Sequence, residues 1–444
     1  MRPGGKTIFA IIADEVTRMS SMSSIFEGFL STPEGLELFS ERKFIACMLR
    51  FEAALARAQA SVGLIPDSAA QSIIDTCKVE LFDVAKIVRE SLRAGSIAVP
   101  LVKSLRETVA LFNQDAARFV HYGATQQDVV DTALALVTRE ALDMIEHDVR
   151  LAVVALLLLA ERHASTPALA RTLMQPSSLT SFGFGCSVWS APLVRGLQRL
   201  QLTAANALRI RLGGSAETLA QMDGKSVQVL AHMATGLGLK APQLACSSQR
   251  DEWLVLGCEL AVLVGSLGKM AADISLMSQF EVAELAEPAD AGAGLLQAPG
   301  AARSGQMLHT TDPVCCMVAM AAARRAPQRV AALLAAMTQE RESSQGNWQA
   351  ELAEWPGLLM SAHGAARAMA HALPGLQVDS NRMQSNLAAV RSEIAKESRE
   401  LANETFNPLL VEQASVLALA QVAFQRSCLA AIDAAAISMP VSTL

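Results

Sequence analysis

The sequence predicts an all-α fold: a long central helical bundle with smaller helical domains before and after it. Three observations predict it. Residues 126–164 contain neither Gly nor Pro, and as one helix they would run about 58 Å at 1.5 Å per residue. Segments 249–287 and 314–344 are also long and apolar, broken only by Gly257, Gly265 and Gly268 in the first and by a kink expected at Pro327 in the second. Strand signals are almost absent, with no Asn-Gly or Asp-Gly hairpin and no β-branched alternation.

In chain order, residues 1–21 fit nothing downstream and read as an extension, with Met19 or Met22 as alternative starts. An N-terminal helical domain is expected over 22–117. "STPE" opens a helix with Ser31 as cap and Glu34 three residues on. From Glu41 to Val62 the apolar residues Phe44, Met48, Phe51, Leu55 and Ala58 repeat with helical spacing, until Gly63 and Pro66 stop them. The bundle is expected over 118–364, and a shortened or divergent C-terminal helical domain over 365–444. Bundle helices that are apolar nearly all round must be covered on most sides, so association of copies is the simplest arrangement.

Bulk properties exclude several classes. Hydrophobic residues make up 51% and charged residues 18%, which permits a large core and argues against disorder. A net charge of −6 argues against nucleic acid as the main partner, and a single Tyr leaves few stacking platforms. None of the eight Cys forms a CxxC pair, so neither a metal nor a redox site is signalled and free thiols in a reducing cytoplasm are expected. The apolar run "LAVVALLLLA" (151–160) falls short of the about 20 residues a spanning helix needs. It reads as a core helix, with no membrane partner, and "IFAII" near the start is too short for a secretory leader.

Polar islands interrupt the helical pattern. "FVHYGATQQDVVDTAL" (119–134) places His121, Gly123, Thr125, Gln126 and Asp128 ahead of the longest helix, with Thr125 as cap and Asp128 at the third helical position. A helix N-terminus there also offers free N–H groups to a carboxylate. "ARTLMQPSSLTSFGFG" (170–185) gathers Arg171, Thr172, Gln175, Ser177, Ser178 and Thr180. "LGGSAETLAQM", "SSQRDEW" with Arg250, and "RSGQMLHTTDPV" with Ser304 and His309 complete the set. Lys269 reads as a solvated or helix-end residue, and Trp348 and Trp355 as packing residues.

These islands resemble the fumarase/aspartase superfamily of lyases. "VHYGATQQD" is similar to its first signature, "RTLMQ" to its Arg-Thr-His-x-Gln segment, "GGSAET" to its Gly-Gly turn, and "RSGQMLHTTDPV" to its mobile catalytic loop. Within it, "AGSIAVPLVK", "SQRDEW" and "QGNWQAELAEWP" resemble the 3-carboxy-cis,cis-muconate cycloisomerases. The resemblance implies a homotetramer built on five-helix bundles, with active sites shared between subunits. It also implies lactonisation of a small polycarboxylate, without a cofactor, in aromatic catabolism. His121, Ser304 and His309 then become the catalytic candidates. Thr125, Gln126, Arg171, Thr172, Gln175 and Arg250 become the substrate-binding ones.

The sequence departs from the pattern at Gln126, Leu173 and Glu217, and most of all in the loop. There Gly305, Thr310 and Asp312 stand where the family has Ser, Lys and Asn. The Leu173 change is shared with the cycloisomerase branch. Two further readings therefore stay open: a superfamily lyase or cyclase acting on a different carboxylate, and an inactive homologue with a scaffold role.

Overall fold

The computed structural model of the chain describes residues 25–214, 218–242, 248–288, 312–340 and 346–437. Its N-terminal layer is built from short helices: α1 (Ile25–Gly28), α2 (Pro33–Leu38), α3 (Glu41–Ser61), α4 (Asp67–Thr76), α5 (Val84–Ala94) and α6 (Ala98–Phe112). The α2 cap is Thr32 rather than Ser31, its hydroxyl accepting from the Gly35 N–H at 3.0 Å. Pro33, with no N–H to satisfy, suits the first helical position and sets that start. Helix α3 matches its expected span, with Ser40 as cap and Met48, Phe51 and Leu55 buried. The chain leaves it at Gly63, whose φ of +69° is open to glycine at little cost.

Helix α7 (Gln126–Arg162) is the unbroken helix expected of 126–164, 37 residues long, or about 55 Å. The 151–160 run lies inside it, with Ala152, Val153, Leu156 and Leu157 buried in the core. Four more long helices complete the bundle: α8 (Phe182–Ala207), α10 (Asp251–Met277), α11 (Val314–Ala336), which passes through Pro327, and α12 (Asn347–Ala372). Cross-links fix their directions. Trp355 and Arg367 of α12 bond Thr138 and Asp148 of α7, so these two run parallel. Trp189 and Arg199 of α8 bond Asp273 and Glu259 of α10, so that pair is antiparallel. The stacked rings of Trp253 and Trp355, 4.3 Å apart, fill the space between α10 and α12. Gly364, where the bundle was expected to end, sits inside α12, which continues to Ala372.

Close approach is visible at Gly268 of α10, where an added Cβ would overlap the Ala323 methyl of α11. Gly268→Val should therefore cost about 1–3 kcal/mol by overpacking. Urea unfolding would record it as a lower midpoint at unchanged slope, and an unchanged midpoint would refute the tight fit.

Strands do occur, contrary to expectation. β1 (Pro167–Thr172) and β2 (Gln175–Ser181) form an antiparallel hairpin beyond the C-terminus of α7. Its two-residue turn is Leu173-Met174, at φ +52° and +65°. Those are the angles for which Asn-Gly is normally selected, so the turn carries no sequence signal. A second, two-residue pair joins β3 (Leu285–Ala286) to β4 (Gln377–Val378). The remaining helices are α9 (Ser226–Leu237), α13 (Ser380–Glu397), α14 (Arg399–Thr405) and α15 (Pro408–Ile437). The last packs along α8, where buried Gln425 bonds Ser190 and the Ser187 carbonyl.

Candidate active site

The described parts of the islands collect at the two ends of the bundle. At the first end, Thr125 caps α7 in a capping box: its hydroxyl accepts from the Asp128 N–H at 3.3 Å, and Asp128 accepts from the Thr125 N–H at 2.8 Å. The same buried carboxylate accepts from the Gly213 and Gly214 N–H groups at 2.9 and 3.3 Å, tying the Gly-Gly turn to the first signature. Burial pushes the Asp128 carboxyl up, against the pull of the hydrogen bonds it accepts from Thr125, Gly213 and Gly214. Just ahead, His121 stands at φ +61° with its Nδ1 2.5 Å from Glu52 Oε1. His121 and Thr125 are half-buried and Gln126 is exposed.

Arg250 lies beneath this end, and its expected place among the substrate donors needs correction. Its side chain is only 3% exposed. The guanidinium bonds Asp131 at 2.7 Å and Glu351 at 2.9 Å, and a second Arg250–Glu351 contact closes the fork. Trp348 donates to the same Asp131 at 2.9 Å. A cation so enclosed supports the site from below and does not face a ligand.

The opposite end carries Arg171, Thr172 and Gln175, all exposed on the hairpin. Arg171 meets the buried Glu284 at 3.5 Å, and Asn386 donates to that carboxylate at 2.9 Å. Ser304 and His309 lie outside the described residues. Both described flanks of their segment sit at this end. There Glu287 accepts from the Cys315 and Cys316 N–H groups at 3.0 and 2.8 Å, clamping one flank to the start of α11. Asp312 is exposed beside that start. Lys269 is a solvated residue paired with Asp273. Among the described residues no group of three His, Cys, Asp or Glu side chains converges as a metal site.

The length of α7 therefore separates His121 and Thr125 from Arg171 and Gln175 by about 50 Å within one chain. Glu52, Asp128 in its second role, and Glu284 were not singled out from sequence. A signal did exist for Glu52: with Gln59 it is a polar residue on the same α3 face as buried Met48 and Leu55.

A family model described as a lyase matches residues 30–294. The chain belongs to that lyase family. It is 37% identical over 417 residues to the 3-carboxy-cis,cis-muconate cycloisomerase of Bradyrhizobium diazoefficiens, covering 93% of this chain and 91% of that one. It is 35% identical to the nitrosuccinate lyase of Streptomyces davaonensis, over 81% of this chain and 75% of that lyase. Among solved structures, the 3-carboxy-cis,cis-muconate lactonizing enzyme of Pseudomonas putida superposes with a TM-score of 0.76. It shares 34% identity with this lyase chain, covering 91% of it and 90% of the solved one.

Proposed function

We propose that this lyase is a cytoplasmic cycloisomerase that converts 3-carboxy-cis,cis-muconate to 4-carboxymuconolactone in the breakdown of aromatic compounds. The observation that carries the reading is the end-to-end match to a cycloisomerase, which spans every island described above. The chemistry is an isomerisation. A substrate carboxylate oxygen forms a bond to an alkene carbon, and the π pair moves toward a neighbouring carboxylate, giving an enolate-like dianion. A general acid then delivers one proton to carbon. His121, Thr125, Gln126, Arg171, Thr172 and Gln175 hold the carboxylates and meet the developing charge. Ser304 or His309 supplies the proton.

Two groups of donors so far apart act on one small substrate only if different copies supply them. We therefore take the active form to be a homotetramer with shared sites, its domains dividing near residue 117 and at the end of α12, Ala372, rather than at Gly364. Two features support this. Leu151, Val154 and Leu158 form an exposed apolar stripe along α7, and Val188 on α8 and Val255 and Val262 on α10 are exposed apolar residues as well. The hairpin tip also holds two apolar residues in left-handed geometry, with Leu173 96% exposed. Strain of that kind persists where a neighbour makes use of it.

The test is the loss of diene absorbance when the pure protein meets 3-carboxy-cis,cis-muconate. Ser304→Ala or His309→Ala should lower kcat by about 10²–10⁴, the usual contribution of a positioned acid. No loss of absorbance at high protein concentration would sink the reading, and full activity in both variants would remove the loop from the mechanism. The likeness to nitrosuccinate lyase and the altered Gly305, Thr310 and Asp312 favour a second reading, an elimination on a different carboxylate. Release of a fumarate-like alkene from a substituted succinate would distinguish it.

A further inference from the structure

We propose that Glu52 is the positioning residue of His121: it fixes Nδ1 of the imidazole and turns Nε2 toward a carboxylate of the ligand. The ligand role rests on the lyase reading above, whereas the pairing does not. Three observations carry the proposal. First, the contact is short, 2.5 Å, and enclosed: the Glu52 side chain is 1% exposed and that of His121 12%. With Nδ1 so engaged, Nε2 is the nitrogen that can reach outward.

Second, the buried Oε2 of Glu52 has no hydrogen-bond partner among the described residues. Most buried polar atoms have a partner, so an open carboxylate oxygen calls for a reason. Here the imidazole is the contact that accounts for its presence in an apolar face of α3. Third, α3 also holds the backbone from which His121 projects. Gln59, seven residues beyond Glu52 on the same face, donates from Nε2 to the Tyr122 carbonyl at 2.7 Å. That contact braces a turn in which His121 sits at φ +61° and Gly123 at +73°. A left-handed residue other than Gly is costly and is kept where the site requires its direction.

The charges around the ring agree. It is faced by Glu52 from α3, by Asp128 from the first turn of α7 and by Arg106 from α6. Cys77, after α4, faces Glu52 with a thiol that burial and that carboxylate push well up. Burial pulls the imidazole toward its neutral form. The charge and hydrogen bond of Glu52, with the charge of Asp128, outweigh both that and Arg106, and His121 is raised above its ordinary value. A raised imidazole stays cationic until the pH passes its folded value, so ligand affinity held through His121 is present at lower pH and fades on the alkaline side. Without Glu52 the fade begins at lower pH.

The experiment labels the histidines of the full-length protein with ¹⁵N and assigns His121 with a His121→Gln variant. In the wild type, Nδ1 should remain protonated on both sides of the titration. In Glu52→Gln the His121 signal should titrate at lower pH, and Glu52→Asp should restore part of the shift. In lactonisation, Glu52→Gln should raise KM about tenfold, as expected when one charge-assisted contact weakens, with kcat little changed. A His121 signal that ignores Glu52→Gln, or a wild-type Nδ1 without its proton above the titration, overturns the pairing. An unchanged KM overturns the ligand role. The tautomer is read in the wild type, so the pairing stays testable even where a variant fails to fold. The NMR readout also needs no turnover, which keeps failure of the pairing distinct from failure of the cycloisomerase reading.

Discussion

Arg250→Met lowers the unfolding free energy by about 3–5 kcal/mol, the usual cost of removing one partner from a buried ion network. The guanidinium sits between Asp131 and Glu351, and all three side chains are buried. Methionine keeps the volume of the stem but leaves two carboxylates in a low-dielectric space. The Trp348 indole, bonded to Asp131, and the charge of Arg211 acting on Glu351 compensate them only in part. Burial already raises Glu351 and the Arg250 charge opposes that rise. The variant should therefore raise Glu351 further and favour its protonated form. A carboxyl raised in the folded state contributes stability below its unfolded pKa and loses it as the pH climbs. The deficit should be smaller at mildly acidic pH than at neutrality. Adding Asp131→Asn and Glu351→Gln to Arg250→Met should recover much of the loss, because no uncompensated charge then remains. Urea unfolding of the single and triple variants decides the matter. A single variant as stable as the wild type would show that the network is neutral to folding.

The long elements were legible because their physics is local. An uninterrupted run such as 126–164 contains nothing to end a helix, and Thr125 with Asp128 marks its start within four residues. The hairpin was not legible. Its turn holds Leu173-Met174 in angles that local sequence opposes, so the reason for the turn lies outside the segment. The same limit applies at the site. Arg250 reads as a donor because sequence displays a charge without its partners, and Asp131 and Glu351 are 119 and 101 residues away. His121, Thr125 and Arg171 were singled out through motif spacing, yet spacing is silent on distance in space. Only the direction and length of α7 place them at opposite ends. Glu52 was readable as an acid on an apolar face, but its partner was not.

Mixing two inactive variants should restore activity. His121→Gln and Arg171→Met should each lower kcat/KM by about 10²–10³, the cost of leaving a buried substrate charge without one of its partners. Neither substitution touches the exposed apolar residues on α7, α8 and α10, so light scattering should give both variants the wild-type size. When the two are unfolded together in equal amounts and refolded, chains associate at random. A site that draws its His121 end and its Arg171 end from different copies finds both intact about one time in four, so about a quarter of wild-type activity should return. A site contained in one chain would recover nothing, because every chain carries one lesion. The reciprocal mixture sharpens the comparison. Wild type refolded with the double variant should also give about a quarter if ends are shared between copies, but about a half if each chain holds a complete site. A dead first mixture with a half-active second one would place the whole site in a single chain. The roughly 50 Å imposed by α7 would then have to be bridged by residues outside the described ones, which is the outcome the present geometry opposes.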